Sequence, residues 1–223
     1  MNWTGKLIAA TIDHTLLKAT ATEDQIKALC SEARQHKFKA VCVNPYWVPV
    51  CARELAGSEV LIATVVGFPL GANGTAVKAE EARRAVAEGA REVDMVINIG
   101  RAKAGDWTSV REDIAAVVKA SKHAIVKTII ETCYLTREEK VDACRAAVDA
   151  GAVFVQTSTG FGTGGATAED VRFMKESIGD AAFVKASGGI KTYEDAVAML
   201  EAGASRIGAS AGIAIMRDAE ASV

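Results

Sequence analysis

The stretch Glu88-Gly89-Ala90-Arg91-Glu92-Val93-Asp94-Met95-Val96-Ile97 changes character at its middle, where a small-residue turn gives way to an apolar, β-branched run. Glycine suits the left-handed residue that closes a helix, so the stretch reads as a helix stop feeding a strand. The same arrangement returns as Ala150-Gly151-Ala152 before Val153-Phe154-Val155, and as Ala202-Gly203-Ala204 before Arg206-Ile207-Gly208. Helix starts repeat as well. Thr22-Glu23-Asp24-Gln25 and Thr136-Arg137-Glu138-Glu139 have capping-box form, while Thr167-Ala168-Glu169-Asp170 and Thr192-Tyr193-Glu194-Asp195 end in Asp. Strand candidates centre on Ile12, Val41, Thr64, Met95, Lys127, Val155, Val184 and Ile207, with amphipathic helical patterns between most of them. Right-handed crossovers then give a parallel sheet, and eight repeats predict closure into an α/β fold, a parallel (β/α)8 TIM barrel forming a single domain over residues 1–223. A doubly wound open sheet also alternates strand and helix, but no G-x-G-x-x-G follows the first strand.

Composition fits that reading. The chain has 223 residues, half of them hydrophobic, and a formal charge of -2, enough to bury one sizeable core without a basic surface excess for nucleic acid. No apolar run approaches a bilayer span and the first residues do not resemble a leader, so no membrane partner and a cytoplasmic location are expected. Cys30, Cys42, Cys51, Cys133 and Cys144 are odd in number and contain no C-x-x-C pair, which predicts reduced thiols. His14, His36 and His123 show no metal-ligand spacing, and neither a metal nor another cofactor is expected.

Strands of a parallel barrel are covered on both sides, so polar residues inside them need a reason. Asp94, Lys127 and Lys185 sit within or near the ends of apolar runs on strands four, five and seven, and Gln156 holds the matching place on strand six. Their offsets of 33, 29 and 29 residues predict four side chains at one level of the barrel. A structural ion pair is the plainer reading of any one of them, but the aligned set points to a site. A lysine of depressed pKa attacks a carbonyl to form an iminium, while a carboxylate and a second ammonium relay protons. Asp94 and Lys185 suit the relay, Lys127 suits orienting Asp94, and the nucleophile is missing. Glycine-rich runs Ser158 to Gly165, Ser187-Gly188-Gly189 and Gly208-Ala209-Ser210-Ala211-Gly212 follow the late strands, where barrels place a phosphate cradle, so a small sugar phosphate is the expected ligand.

These residues resemble deoxyribose-phosphate aldolase, a metal-free class I aldolase, along nearly the whole chain. The resemblance rests on Ile12 to Lys18, Val41 to Pro45, Gly67 to Gly71, Glu92 to Asn98, Val126 to Thr132, Thr157 to Phe161 and Lys185 to Gly189. It implies reversible cleavage of 2-deoxy-D-ribose 5-phosphate to acetaldehyde and D-glyceraldehyde 3-phosphate, and a homodimer. It also implies a proton relay of Asp94 and Lys185, Lys185 also depressing the pKa of the nucleophilic lysine. Lys127 is the implied supporting lysine, and Thr15 and Cys42 the implied pocket walls. Thr157 joins the binding set as the residue after the nucleophile position, and Gly160, Gly188, Gly189, Gly208 and Ser210 are the implied phosphate contacts.

The residue before Thr157-Ser158-Thr159-Gly160 is the Schiff-base lysine in that family, and here it is Gln156. An amide nitrogen is delocalised and cannot form an iminium. Three readings follow: an aldolase impaired at one position, a catalytically silent sugar-phosphate-binding barrel, and aldolase chemistry rerouted through Lys185 or Lys127. Cys42 reads either as a thiol reactive toward aldehydes or as a small buried residue. No role is assigned to the tail from Met216 to Val223.

Overall fold

The computed structural model describes residues 3–221. Eight parallel strands form one closed barrel in chain order: β1 (Ile12–Leu16), β2 (Ala40–Val43), β3 (Leu61–Val66), β4 (Glu92–Val96), β5 (Ile125–Ile129), β6 (Phe154–Gln156), β7 (Phe183–Ser187) and β8 (Ala204–Ala209). Every residue taken above as a strand centre lies in its strand. The helix stops behave as read: Gly89, Gly151 and Gly203 have φ of 122°, 86° and 112°, a region that L side chains rarely adopt.

Helices start where the threonines predict. Thr22, Thr136 and Thr192 form complete capping boxes with Gln25, Glu139 and Asp195. Thr167 accepts from the Asp170 N–H, but the return bond does not form. The Asp170 carboxylate is instead engaged by Lys140 Nζ at 2.5 Å, and an ammonium is the stronger partner. The stretch from Met216 to Ala221 belongs to the last helix, and Ser222 and Val223 lie outside the described residues.

Most of the core lies between the barrel and its helices, with Ile12, Val41, Val93, Val126, Val155, Val184 and Ile207 all buried on the outer face of their strands. The alternate residues point inward, as the period-two pleat requires. Ala40, Cys42, Ala63 and Val65 form a small apolar cluster on β2 and β3. The interior also holds a charged cluster, and several of its bonds, such as Lys185 to Asp94 and Arg206 to Glu92, join strands that are not neighbours and so cross the lumen.

One expectation is corrected by the register. Asp94 is opposite Lys127 and Gln156 opposite Lys185, but Lys127 is opposite Phe154, and Gln156 faces Ile129 two residues further along. The stagger that closes a barrel shifts successive strands along one another, so equal sequence offsets do not mean equal height. Gln156 therefore lies nearer the strand C-terminal mouth than Lys127. Among the described residues no helix is long and apolar enough to cross a membrane.

Candidate active site

Six fully or almost fully buried charged side chains meet in the lumen. Lys185 Nζ bonds Asp94 Oδ2 at 2.5 Å and Asp13 Oδ2 at 2.6 Å. Lys127 Nζ bonds Glu92 Oε2 at 2.5 Å, Asp94 Oδ1 at 2.8 Å and Asp13 Oδ2 at 3.2 Å. Arg206 Nη1 bonds Asp13 Oδ1 and Glu92 Oε2, both at 2.8 Å, and its guanidinium stacks on the Phe154 ring. Three carboxylates face three cations, so the burial of charge, prohibitive for any one of them, is compensated within the set.

The network sets protonation. Burial pushes the Asp13 carboxyl up, but Lys127, Lys185 and Arg206 outweigh it and hold it well below the usual carboxylate range. Burial pulls Lys185 and Lys127 down, yet the facing carboxylates, Asp13 foremost, raise both above the ordinary lysine value. Both amines are therefore ammonium ions near neutral pH. Burial also lowers His14, although Glu32 bonds its Nε2 at 2.7 Å and opposes the shift.

These directions predict how stability depends on pH. A depressed Asp13 contributes stability above its unfolded value of about 3.9 that is lost as pH falls through its folded value, whereas the raised lysines contribute below about 10.4 and lose it as pH rises through theirs. The depressed His14 adds an earlier loss as pH falls below about 6.5. Urea unfolding free energies measured across pH should show a plateau from about 7 to about 8, an alkaline decline that starts near the ordinary thiol value of about 8.5 because burial raises the Cys42 and Cys144 thiols, and a two-stage acid decline. A stability maximum below pH 6 would contradict the assignment.

Above this network, at the strand C-terminal mouth, opens a cavity of about 290 Å³. Asp94, Gln156 and Lys185 line it, and so do Thr15 and Cys42. Gly160, Gly188, Gly189, Gly208 and Ser210 line it too. Two residues singled out from sequence do not. Lys127 lies beneath, bonded wholly within the charge network. Thr157 braces β6 to β7, its Oγ1 accepting from the Ser187 N–H and donating to Ser187 O, each at 3.1 Å.

Gln156 is 4% exposed. Its Nε2 donates to Ser187 Oγ at 2.9 Å, and Ser187 Oγ donates its single proton to Ser158 O at 2.6 Å. Ser187 can therefore only accept from Gln156, which fixes the amide orientation. The Gln156 Oε1 has no hydrogen-bond partner among the described residues. Cys42 Sγ lies 4.0 Å from Asp94 Oδ2, and burial together with that carboxylate pushes its thiol up to about 12. The thiolate needed for reactivity is thus suppressed, which favours Cys42 as a small buried wall residue.

The glycine loops converge on one side of the cavity. A Cβ on Gly165 would sit 2.3 Å from Gly188 O, so only glycine lets the loop after β6 rest on the loop after β7, where Ala166 N–H donates to Gly188 O at 2.9 Å. Gly165→Ala should therefore displace Gly188 and weaken ligand affinity severalfold while leaving the lumen network in place; unaltered calorimetric affinity would contradict this packing. Asp13, Glu92 and Arg206 escaped the sequence reading. Each stands two residues before a lumenal position, at Thr15, Asp94 and Gly208, and that period-two relation was the available signal. Among the described residues no group of His, Cys, Asp and Glu is arranged to hold a metal.

The model of the DeoC/LacD family aldolases matches residues 7–219. A deoxyribose-phosphate aldolase of Carboxydothermus hydrogenoformans is 61% identical over 214 residues, covering 94% of each chain. The crystal structure of a putative deoxyribose-phosphate aldolase from Coccidioides immitis superposes with a TM-score of 0.94 at 44% identity, over 98% of this chain and 87% of that one. A tetrameric deoxyribose phosphate aldolase from Aeropyrum pernix follows with a TM-score of 0.91 at 30% identity, over 99% and 94%. With a family model spanning the barrel and relatives this similar along nearly all of it, the chain belongs to the DeoC/LacD family of aldolases.

Proposed function

We propose that the cavity takes 2-deoxy-D-ribose 5-phosphate, and that the barrel's chemistry is its reversible cleavage to acetaldehyde and D-glyceraldehyde 3-phosphate. The observation that carries this is the Asp94–Lys185 pair on the floor of a cavity walled by glycine loops. The relatives' names support the substrate. Asp94 and Lys185 move the protons, and Lys127 acts from below by holding Asp94. Gly160, Gly188, Gly189, Gly208 and Ser210 seat the phosphate, Thr15 and Cys42 wall the sugar, and Thr157 fixes the end of β6.

Gln156 stands in the place of the Schiff-base lysine on this reading, and turnover is impaired. Cleaving C2–C3 sends the bonding electron pair toward C1 as the C3 hydroxyl gives up its proton and becomes the new aldehyde. An iminium at C1 would receive that pair; without one it must pass into the C1 carbonyl, giving an enolate that the Lys185 ammonium stabilises by charge alone. A silent binder is the second reading, favoured by the engagement of the Gln156 amide with Ser187. Rerouting through Lys185 or Lys127 is disfavoured, because the surrounding carboxylates keep both protonated. We further propose a homodimer, to be tested by sedimentation, and a cytoplasmic location, which the five free cysteines suit.

The test is calorimetric titration of the chain with 2-deoxyribose 5-phosphate, alongside an assay for released glyceraldehyde 3-phosphate. Saturable binding with turnover several orders of magnitude below an intact class I site is expected. Turnover at an intact enzyme's level would overturn the impairment, and absence of binding would overturn the substrate.

A further inference from the structure

We infer that Glu131 is a positioning residue for the loop that seats the substrate phosphate, acting through Thr159 on Gly160. The inference rests on the phosphate-loop reading given above. Glu131 follows β5 and has φ 53° and ψ 68°, a left-handed backbone that a non-glycine residue rarely holds. Its side chain is buried, and among the described residues no basic group lies within ion-pair distance of it. A strained backbone and a buried carboxylate without a cation are two separate costs at one residue, and such costs gather where geometry serves function.

What the carboxylate holds is the loop after β6. It accepts the Thr159 N–H at 3.1 Å and the Thr159 hydroxyl in a short bond. The Thr159 Oγ1, its proton committed to Glu131, accepts the Phe161 N–H at 3.0 Å. Gly160 is the residue between those two anchored amides, and both Thr159 and Gly160 line the cavity. The main chain on either side of Glu131 is tied to the same segment, Ile130 N–H donating to Gln156 O at 3.0 Å and Thr132 N–H to Thr157 O at 2.9 Å. A Cβ on Gly162 would approach the Glu131 carboxyl carbon to 3.2 Å and Cys133 Sγ to 3.0 Å, so the loop is drawn close. The carboxylate supplies charge-assisted acceptors where two donors would otherwise be buried without partners.

The test pairs amide hydrogen exchange with calorimetric titration of 2-deoxyribose 5-phosphate, on the chain itself and on Glu131→Ala, Glu131→Gln and Thr159→Val. Glu131→Ala should speed exchange at residues 159–161 while leaving the lumenal strands protected, and should weaken binding by about tenfold or more. Glu131→Gln keeps an oxygen for the Thr159 N–H and should recover most of that loss, a rescue that general destabilisation would not give. Thr159→Val, which removes only the hydroxyl arm, should fall between them, and it keeps the inference testable if Glu131→Ala does not fold. Unchanged exchange and affinity in Glu131→Ala, or in Thr159→Val, would overturn the positioning role. If the unsubstituted chain fails to bind the sugar phosphate, the substrate reading falls, while the exchange measurement still decides whether Glu131 holds the loop.

Discussion

Gln156→Lys raises the rate of 2-deoxyribose 5-phosphate cleavage by about three orders of magnitude or more, because it supplies the covalent electron sink that the present side chain cannot. The surroundings suit the change. Gln156 is opposite Lys185 in the β6–β7 register, and Ser187 Oγ already accepts a hydrogen bond from position 156, so an amine placed there finds a waiting acceptor. Burial and the neighbouring Lys185 ammonium both push an added amine toward its neutral, nucleophilic form. Lys185 itself is unavailable for that role, held protonated by Asp13 and Asp94. The rate of glyceraldehyde 3-phosphate release, compared between the two proteins, checks this, and equal rates would show that position 156 does not limit the chemistry.

Lys127→Met should destabilise the fold by about 3–5 kcal/mol, the penalty for breaking a buried ion network by removing one partner. Lys127 is fully buried and touches all three lumenal carboxylates. Without it, Asp13, Glu92 and Asp94 face two cations in place of three, and the excess charge falls on fully buried side chains. Because unfolding midpoints of domains this size move roughly 2–4 °C per kcal/mol, the expected drop is on the order of 10 °C. Urea denaturation measures it directly. A loss below about 1 kcal/mol would show that the remaining groups rearrange or take up protons and that Lys127 is not the keystone of the network.

The barrel was legible in the sequence because its signals are local. A glycine after a helix and a threonine before one act within a few residues, and eight strands separated by helical patterns leave few topologies open. The single departure among the caps, Thr167, arose from a partner 30 residues away, Lys140, which no short window contains. The site was legible in part. Asp94, Lys127 and Lys185 stood out because each interrupts an apolar run. Glu92 opens β4, where a charge looks like a solvated end, and Arg206 lies within β8 just after the small-residue turn; the role of both emerges only when the closed sheet turns them inward. Heights in the barrel were misjudged for a related reason, since the stagger between β5 and β6 is a property of closure and not of either strand. The Lys78–Asp113 pair, buried between two helices at 2.5 Å, left no spacing to read, because its members meet only through tertiary packing.

The most direct test of the central claim is the intact mass of the chain after incubation with 2-deoxyribose 5-phosphate and borohydride, beside Gln156→Lys treated alike. A reduced adduct is expected in the variant alone, mapped by peptide analysis to position 156. An adduct on the unsubstituted chain, at Lys185 or Lys127, would contradict it and show that the covalent chemistry has moved to another lysine.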